Sequence, residues 1–335
     1  MALARRHFLR QCSALVSTNA LRASGAAALV LGSGSAMAQA TRTTTLLVGF
    51  PAGSGVDYVA RLLADRLQQV LNRTFIVDNR VGASGRIAME QLKRAPNDGS
   101  VLAVVPSGML SIFPSFYRKL AYDPLKDYTA VAKFCDYHMG LASATTAPYK
   151  TLPEFLEWAK RNPANYGHPG MGTAPHFTGY LLAQDAGVKL QDVSYRGGPQ
   201  LTQATIGGEI ALAANLSGTF RELAKGGRIR LLAVTAPQRS PTTPDVPTLA
   251  ELGFPNGVVQ ENIGLLAPVG LDRALVAQLA DAVRQVAAEQ AFQEKLQVGD
   301  YSSAYLDGAA YVGLTTNAQA RWAKVIERSG FRADE

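Results

Sequence analysis

Short uncharged apolar runs alternate along this chain with glycine-rich turns and with stretches whose apolar residues recur at three- and four-residue steps. The clearest block runs from Leu46 to Leu71. LLVGF carries no charge and suits a buried strand. PAGSG follows, and Gly53 and Gly55 open its turn to backbone angles that other residues avoid. VDYVARLLADRLQQVL then places Val59, Leu62, Leu63, Leu67, Val70 and Leu71 on one helical face. Such a turn leaves backbone N–H groups unpaired at the positive end of a helix, which is a ready-made anion site. Asp57 in the first helical turn suits the dipole but does not itself help an anion.

The alternation continues. FIVD (75–78) predicts a second strand, DNRVGASG a turn-rich loop, IAMEQLKRA a short helix, APNDG a turn and VLAVVP a third strand. Strand and helix in turn predict a mainly parallel sheet with helices on its faces. A passage rich in tyrosine and proline comes next, then GLASA as another strand, and a second unit opens near Ala142. Thr151, Pro153 and Glu154 open a helix over 151–162, and Pro163 follows its end. YGHPGMGTAPHFTGYLLAQDAG repeats the opening logic, with Gly170-Met171-Gly172-Thr173 as the turn and Thr173 as the N-cap. A strand over 192–195 meets RGGPQL, and LLAVT (231–235) is another strand. APQRSPTTPDVPTLAELGFP reads as a long surface loop holding a short helix. GLLAP is strand-like, LDRALVAQLADAVRQVAAE is helical, and 311–329 is a terminal helix. These last helices bring no strands of their own and must pack back on the first sheet. The expected division is therefore 43–140 with 263–335 as domain I, and 141–262 as domain II.

At 335 residues the chain has room for about two domains. Its formal charge is +7, and Arg5, Arg6, Arg10 and Arg22 all precede the first acidic residue. Without those four the charge is +3, too mild and scattered to argue for nucleic acid. ARRHFLRQ followed by a weakly apolar, small-residue stretch predicts an export signal of twin-arginine type over 1–38, although Ala4 stands where Ser or Thr is usual. Cleavage fits Ala36-Met37-Ala38, with Ala38-Gln39-Ala40 as a near alternative, and the periplasm is the expected destination. A membrane anchor is the competing reading, but the apolar run is short for a bilayer. Cys135 is then the one cysteine left, so no internal disulfide forms and the core carries stability. Its apolar surroundings predict a buried rather than a reactive thiol.

Catalytic signatures are missing. There is no G-x-S-x-G elbow after the signal, no P-loop lysine, and no G-x-G-x-x-G after the first strand. His168 and His176 lie eight apart with no cysteine or carboxylate between them, so zinc spacing is absent. No enzyme, cofactor or metal is expected. What remains is a pair of glycine turns, one per domain, placed to pinch an anion between two sets of N–H groups across a cleft.

With PAGSGVDYVARLLADRL, DNRVGASGRIA, APNDGSVL, YGHPGMGTAPH, SYRGG, LLAVTAPQRSPTTPDVPTLAELGFP and GLLAPVGLDRALVAQLADAV, the chain resembles the Bug family of periplasmic solute-binding proteins. These are the receptors of tripartite tricarboxylate transporters. The resemblance spans nearly the whole exported chain. It implies an α/β, type II-like periplasmic binding protein of two domains, with a ligand carboxylate held between two strand–turn–helix tips in the interdomain cleft. By position the first tip is Phe50, Pro51, Ala52, Gly53, Ser54, Gly55, Val56 and Asp57; the second is Gly170, Met171, Gly172, Thr173 and His176. Ser107, Arg196, Gly197, Asn215 and Glu261 complete the expected site. Arg196 is the one cation near a strand tip and is an alternative carboxylate partner. The chain departs from the family where Gly55 and Val56 replace a usual hydroxyl pair, where His168 replaces a common Ser, and where Ala204, Ala211 and Asn215 fall on positions that are often acidic. Burying an unpaired ammonium costs several kcal/mol, so a carboxylate without an amino group is favoured. The expected partners are that small organic carboxylate and the membrane subunits of a transporter, with the receptor a monomer. An exported ligand sensor of the same fold is the main alternative, and an exported hydrolase a remote one.

Overall fold

A computed structural model of the chain describes residues 43–334; the export signal expected over 1–38 and its cleavage at Ala38 lie outside them. The strands are β1 Thr44–Val48, β2 Phe75–Asn79, β3 Val101–Pro106, β4 Tyr128–Ala144, β5 Ala164–His168, β6 Leu190–Ser194, β7 Leu212–Leu216, β8 Ile229–Val234, β9 Gln260–Pro268 and β10 Ser302–Asp307. The helices are α1 Gly55–Leu71, α2 Arg86–Lys93, α3 Gly108–Ser111, α4 Phe113–Phe116, α5 Leu152–Ala159, α6 Ala174–Ala186, α7 Gly198–Gly207, α8 Ser217–Lys225, α9 Arg273–Ala288, α10 Gln290–Val298 and α11 Gly308–Ser329. None of these helices is long and apolar enough to cross a membrane.

The strands join in the order β2-β1-β3-β9-β4-β7-β5-β6, with β8 and β10 also on β4. Pairing is parallel at both ends of this order, in β1–β2, β1–β3, β5–β6 and β5–β7. It is antiparallel wherever β9 or β4 takes part. β4 changes partners along its length. Tyr128–His138 pairs with β9, and Met139–Ala144 pairs with β7 and β8. Two register shifts, at Ala130/Ala132 and Lys133/Cys135, bend its first half. The expected GLASA strand is thus the end of a single 17-residue strand. Lys133, Asp136 and His138 hid its beginning, because charges inside a run read as loop. Lys133 and Asp136 are instead paired at 2.5 Å with Lys133 buried.

Cores form on both sides of that change of partner. The larger gathers β1, β3, β9, the first part of β4, and the inner faces of α1, α9 and α11. Val59, Leu63 and Leu67 of α1 are fully buried in it, each worth roughly 1.5–3 kcal/mol. Cys135 lies in the same core, and burial pushes its thiol well above the ordinary value. Two smaller cores flank β5, β7 and β8. α6 bridges the sides: Phe177 packs its ring 5.9 Å from Phe116 and 5.5 Å from Trp322. A second bridge centres on buried Asp300, which accepts from Ser240 at 2.7 Å, Thr242 at 2.6 Å and Ser217.

Two local expectations fail. The loop after β8 contains turns and a 3-10 turn at Pro255–Gly257 rather than the short α-helix expected within it. Pro237, Pro241, Pro244 and Pro247 lack N–H donors and fix φ, which keeps that stretch irregular. The tail does bring a strand, β10, antiparallel to β4. SSAYLD has too few apolar residues to show an alternating pattern.

Candidate ligand site

β1 ends at Val48, and the chain turns through Phe50–Ser54 into α1. Gly53 takes φ +77°, which a side chain at that position would resist. Asp57 holds this turn. Its Oδ2 accepts from Gly53 N at 2.9 Å and Arg61 Nε at 3.0 Å; its Oδ1 accepts from Arg61 Nη2 and Asn79 Nδ2, both at 2.9 Å. Asn79 Nδ2 also donates to Phe50 O at 3.0 Å. Burial opposes the charge on Asp57, but Arg61, Gly53 and Asn79 outweigh it and keep the carboxyl below its ordinary value. Ser54 caps α1 by accepting from Asp57 N at 3.3 Å. With these groups taken, Gly55 N–H and Val56 N–H have no acceptor among the described residues.

The second turn joins β5 to α6 and is held by imidazoles. His168 Nδ1 lies 2.9 Å from Gly170 O, to which it donates in one tautomer, and 3.3 Å from Gly170 N, from which it accepts in the other. Gly172 N–H donates to His176 Nδ1 at 3.3 Å, and the Thr173 hydroxyl donates to Gly170 O at 2.7 Å. Thr173 stands at the N-cap, as expected, but its side chain does not cap the helix. Gly172 has φ +73°, and a Cβ there would meet the Phe116 ring at 2.7 Å. Thr173 N–H and Ala174 N–H are left without acceptors among the described residues. Burial, then the neighbouring His168, presses His176 down to about 4.

Between the turns lies a cavity of about 500 Å³. Of the residues expected at the site, Phe50, Pro51, Gly53, Ser54, Gly55, Val56, Thr173, Gly197, Asn215 and Glu261 line it. Eight expected residues do not. Ala52 is exposed, and Asp57 and Gly172 hold their turns from behind. Gly170 is buried against His168, and Met171 O receives the Ser84 hydroxyl at 3.4 Å. Ser107 reaches the cavity only through Glu261. His176 packs against His168, and Arg196 is exposed. The walls also include Met109, Phe113, Tyr137, Pro169, Ala174, Gly198, Thr202 and Leu216, none of which was expected. A signal for several of them existed. Pro106-Ser107-Gly108 and Leu216-Ser217-Gly218 are further strand-to-helix junctions with a glycine just inside the helix.

Two buried side chains give the cavity its polarity. Asn215 accepts from Leu216 N at 2.9 Å through Oδ1, which fixes the amide orientation. Its Nδ2 is buried with no partner. Glu261 accepts from the Ser107 hydroxyl at 2.5 Å, and Ser107 Oγ accepts from Asn262 N at 3.0 Å. Burial pushes Glu261 up to about 7, against smaller opposing pulls from Ser107 and Arg321. The arrangement offers donors at both turns, one amide donor, one carboxyl that is protonated in part near neutral pH, and otherwise apolar walls.

Residues 59–331 match the family described as tripartite tricarboxylate transporter family receptor. The chain is 27% identical to the periplasmic binding protein BugD, covering 87% of this chain and 98% of that one with a TM-score of 0.82. It is 28% identical to Rpa4515 of R. palustris, solved with adipate, over 87% and 98% of the chains with a TM-score of 0.84. It is 27% identical to MatC of Rhodopseudomonas palustris, solved with bound malate, over 85% and 99% with a TM-score of 0.78. Its α/β architecture is that of a periplasmic binding protein. The chain belongs to the tripartite tricarboxylate transporter receptor family, whose members are periplasmic binding proteins and not enzymes.

Proposed function

We propose that the chain is exported, cleaved near Ala38, and works in the periplasm as a monomeric receptor. It captures a small organic carboxylate and delivers it to the membrane subunits of a tripartite transporter. The two domains are 43–140 with 263–335, and 141–262; the chain crosses between them along β4 and β9, and the cavity is their cleft. The observation that carries the reading is a set of donors without acceptors. Gly55, Val56, Thr173 and Ala174 N–H and Asn215 Nδ2 belong to residues that line one cavity. The first N–H groups of a helix need partners from outside it, a buried amide donor such as Asn215 Nδ2 is rarely left unpaired, and a carboxylate satisfies several donors at once. Helix starts supply the matching field.

The ligand has an apolar body and no amino group. Val56, Met109, Phe113 and Leu216 offer carbon, not acceptors, and Asn215 presents a donor where an ammonium needs a carboxylate. Glu261 is the buried acid of the cavity, and in its protonated form it donates to a second carboxylate. Adipate and malate, the ligands of the two related proteins, bracket the apolar and polar ends of this class. Calorimetry with C4–C8 dicarboxylates and aromatic acids is the test. Micromolar binding of at least one, with aspartate and glutamate weaker, is expected. Tight aspartate or glutamate binding with no response to the other acids overturns the assignment.

A further inference from the structure

His168, His176 and Asp192 come from the end of β5, the first turn of α6 and the middle of β6. The fold gathers one ligand atom of each within 4.8 Å of the others. Asp192 Oδ1 lies 2.7 Å from His168 Nε2 and 3.7 Å from His176 Nε2. Both rings are buried, at 0% and 1% exposure, and none of the three facing atoms has a hydrogen-bond partner. At 2.7 Å the His168 pair is close enough to bond, so Oδ1 must lie off the N–H direction of the ring.

The tautomer sharpens this. In the tautomer with its proton on Nδ1, His168 donates to Gly170 O at 2.9 Å. Its Nε2 then carries a lone pair 2.7 Å from a carboxylate oxygen, and two acceptor atoms this close are held together by a cation, a metal ion or a proton. A second-shell carbonyl on the far nitrogen is also how metal-bound histidines are oriented. Tyr166, Phe177 and Phe331 surround the rings and exclude water from that side. Asp192, 30% exposed, leaves a way in from solvent.

The geometry points to a site for one divalent transition-metal ion, zinc foremost, held by His168 Nε2, His176 Nε2 and Asp192 Oδ1 with water as the fourth ligand. Two imidazoles and a carboxylate form a zinc-type donor set. Loading puts the His176 proton on Nδ1 and moves the Gly172 N–H off that atom, so the ion is tied to the second turn.

Tag-free protein, stripped with a chelator, is titrated with cobalt(II) and zinc(II), then dialysed and assayed for bound metal. One equivalent is expected, with the visible absorption of four-coordinate cobalt and a higher melting temperature on zinc addition. Asp192→Asn keeps the shape and is expected to weaken zinc at least 100-fold; His168→Ser is expected to do the same. Retention of no metal by the wild-type protein overturns the site, and a proton then occupies it. One equivalent held equally well by wild type and both variants also overturns it, since the metal is then bound elsewhere.

Discussion

The two glycine turns follow the same order of strand, turn and helix, yet they are fastened differently. Asp57 ties down the first with Asn79 and Arg61, and the Arg61 side chain is half exposed. His168 and His176 tie down the second from a fully buried position. In each case side chains behind the turn consume the N–H groups that point backward. The donors left over, at Gly55, Val56, Thr173 and Ala174, belong to residues that line the cavity. An anion site of this kind is defined by which backbone groups the protein leaves unsatisfied, and the fasteners decide that.

Removing a fastener is the largest way to break the comparison. Asp57→Ala strands the Gly53 N–H, Asn79 and the Arg61 guanidinium together. Discounting for the solvent around Arg61, roughly 3 kcal/mol of stability is expected to be lost. Thermal unfolding should show a drop of about 6–12 °C for a chain of this size, and calorimetry should show ligand binding lost with it. A variant that melts within a degree or two of wild type and binds normally makes Asp57 an ordinary helix-start acid.

Glu261 sharpens the comparison from the acceptor side. Its folded value, about 7, lies above the ordinary 4.5. Between those values the folded protein holds more protons than the unfolded chain, so stability falls as pH rises through the window. Across it the wild type is expected to lose about 2–3 kcal/mol relative to Glu261→Gln, at about 1.4 kcal/mol per unit. Urea unfolding at pH 4.5, 6 and 8 measures this. Parallel pH profiles for the two proteins refute the raised, buried acid.

Much of this architecture was legible in the sequence. Leu46–Leu71 could be read because its strand is uncharged and its helix strictly periodic. β4 could not, because buried Lys133 pairs with half-buried Asp136 and a pattern cannot register such a pair. At the site, the glycines and Ser54 announced the turns. Met109 and Leu216 were marked only by the glycine junctions beside them, and Phe113 and Tyr137 not at all, since an apolar residue on a cavity wall looks like any core residue. His168 and Asp192 are 24 positions apart and meet only because β5 and β6 pair in register, His168 beside Ser194 and Tyr166 beside Asp192.

A backbone donor can be deleted without deleting a turn. α5, α6 and α7 each carry proline at their second residue, Pro153, Pro175 and Pro199. The matching position in α1 is Val56, so Val56→Pro fits the helix and removes one unpaired N–H from a residue that lines the cavity. An N–H bonded to a charged oxygen contributes about 1.5–3 kcal/mol, so binding is expected to weaken roughly 10- to 100-fold. Gly55→Pro and Gly172→Pro are poorer probes. A Cβ at Gly55 would meet Leu216 and Tyr301 at 2.2 and 2.3 Å, and Gly172 has a positive φ. Unchanged affinity in a folded Val56→Pro protein removes the first turn from the anion site.

The smallest effect is expected at Arg196, and it decides between backbone and side chain. A guanidinium is the usual grip on a carboxylate, and Arg196 follows the β6 tip within SYRGG. Its backbone N–H donates to Gln200 Oε1 at 2.9 Å, which starts the turn into α7. The residue is exposed and absent from the cavity wall, where Gly197 and Gly198 take the adjoining places. An arginine in water adds attraction over several ångströms, screened by salt, but no desolvated bond. Arg196→Ala is therefore expected to change affinity less than about threefold, by an amount that shrinks as ionic strength rises. Titration of one ligand against Arg196→Ala and Val56→Pro at low and high salt makes the decision. Abolished binding in the first with normal binding in the second transfers the carboxylate from the helix starts to the arginine, and the two turns become scaffolding.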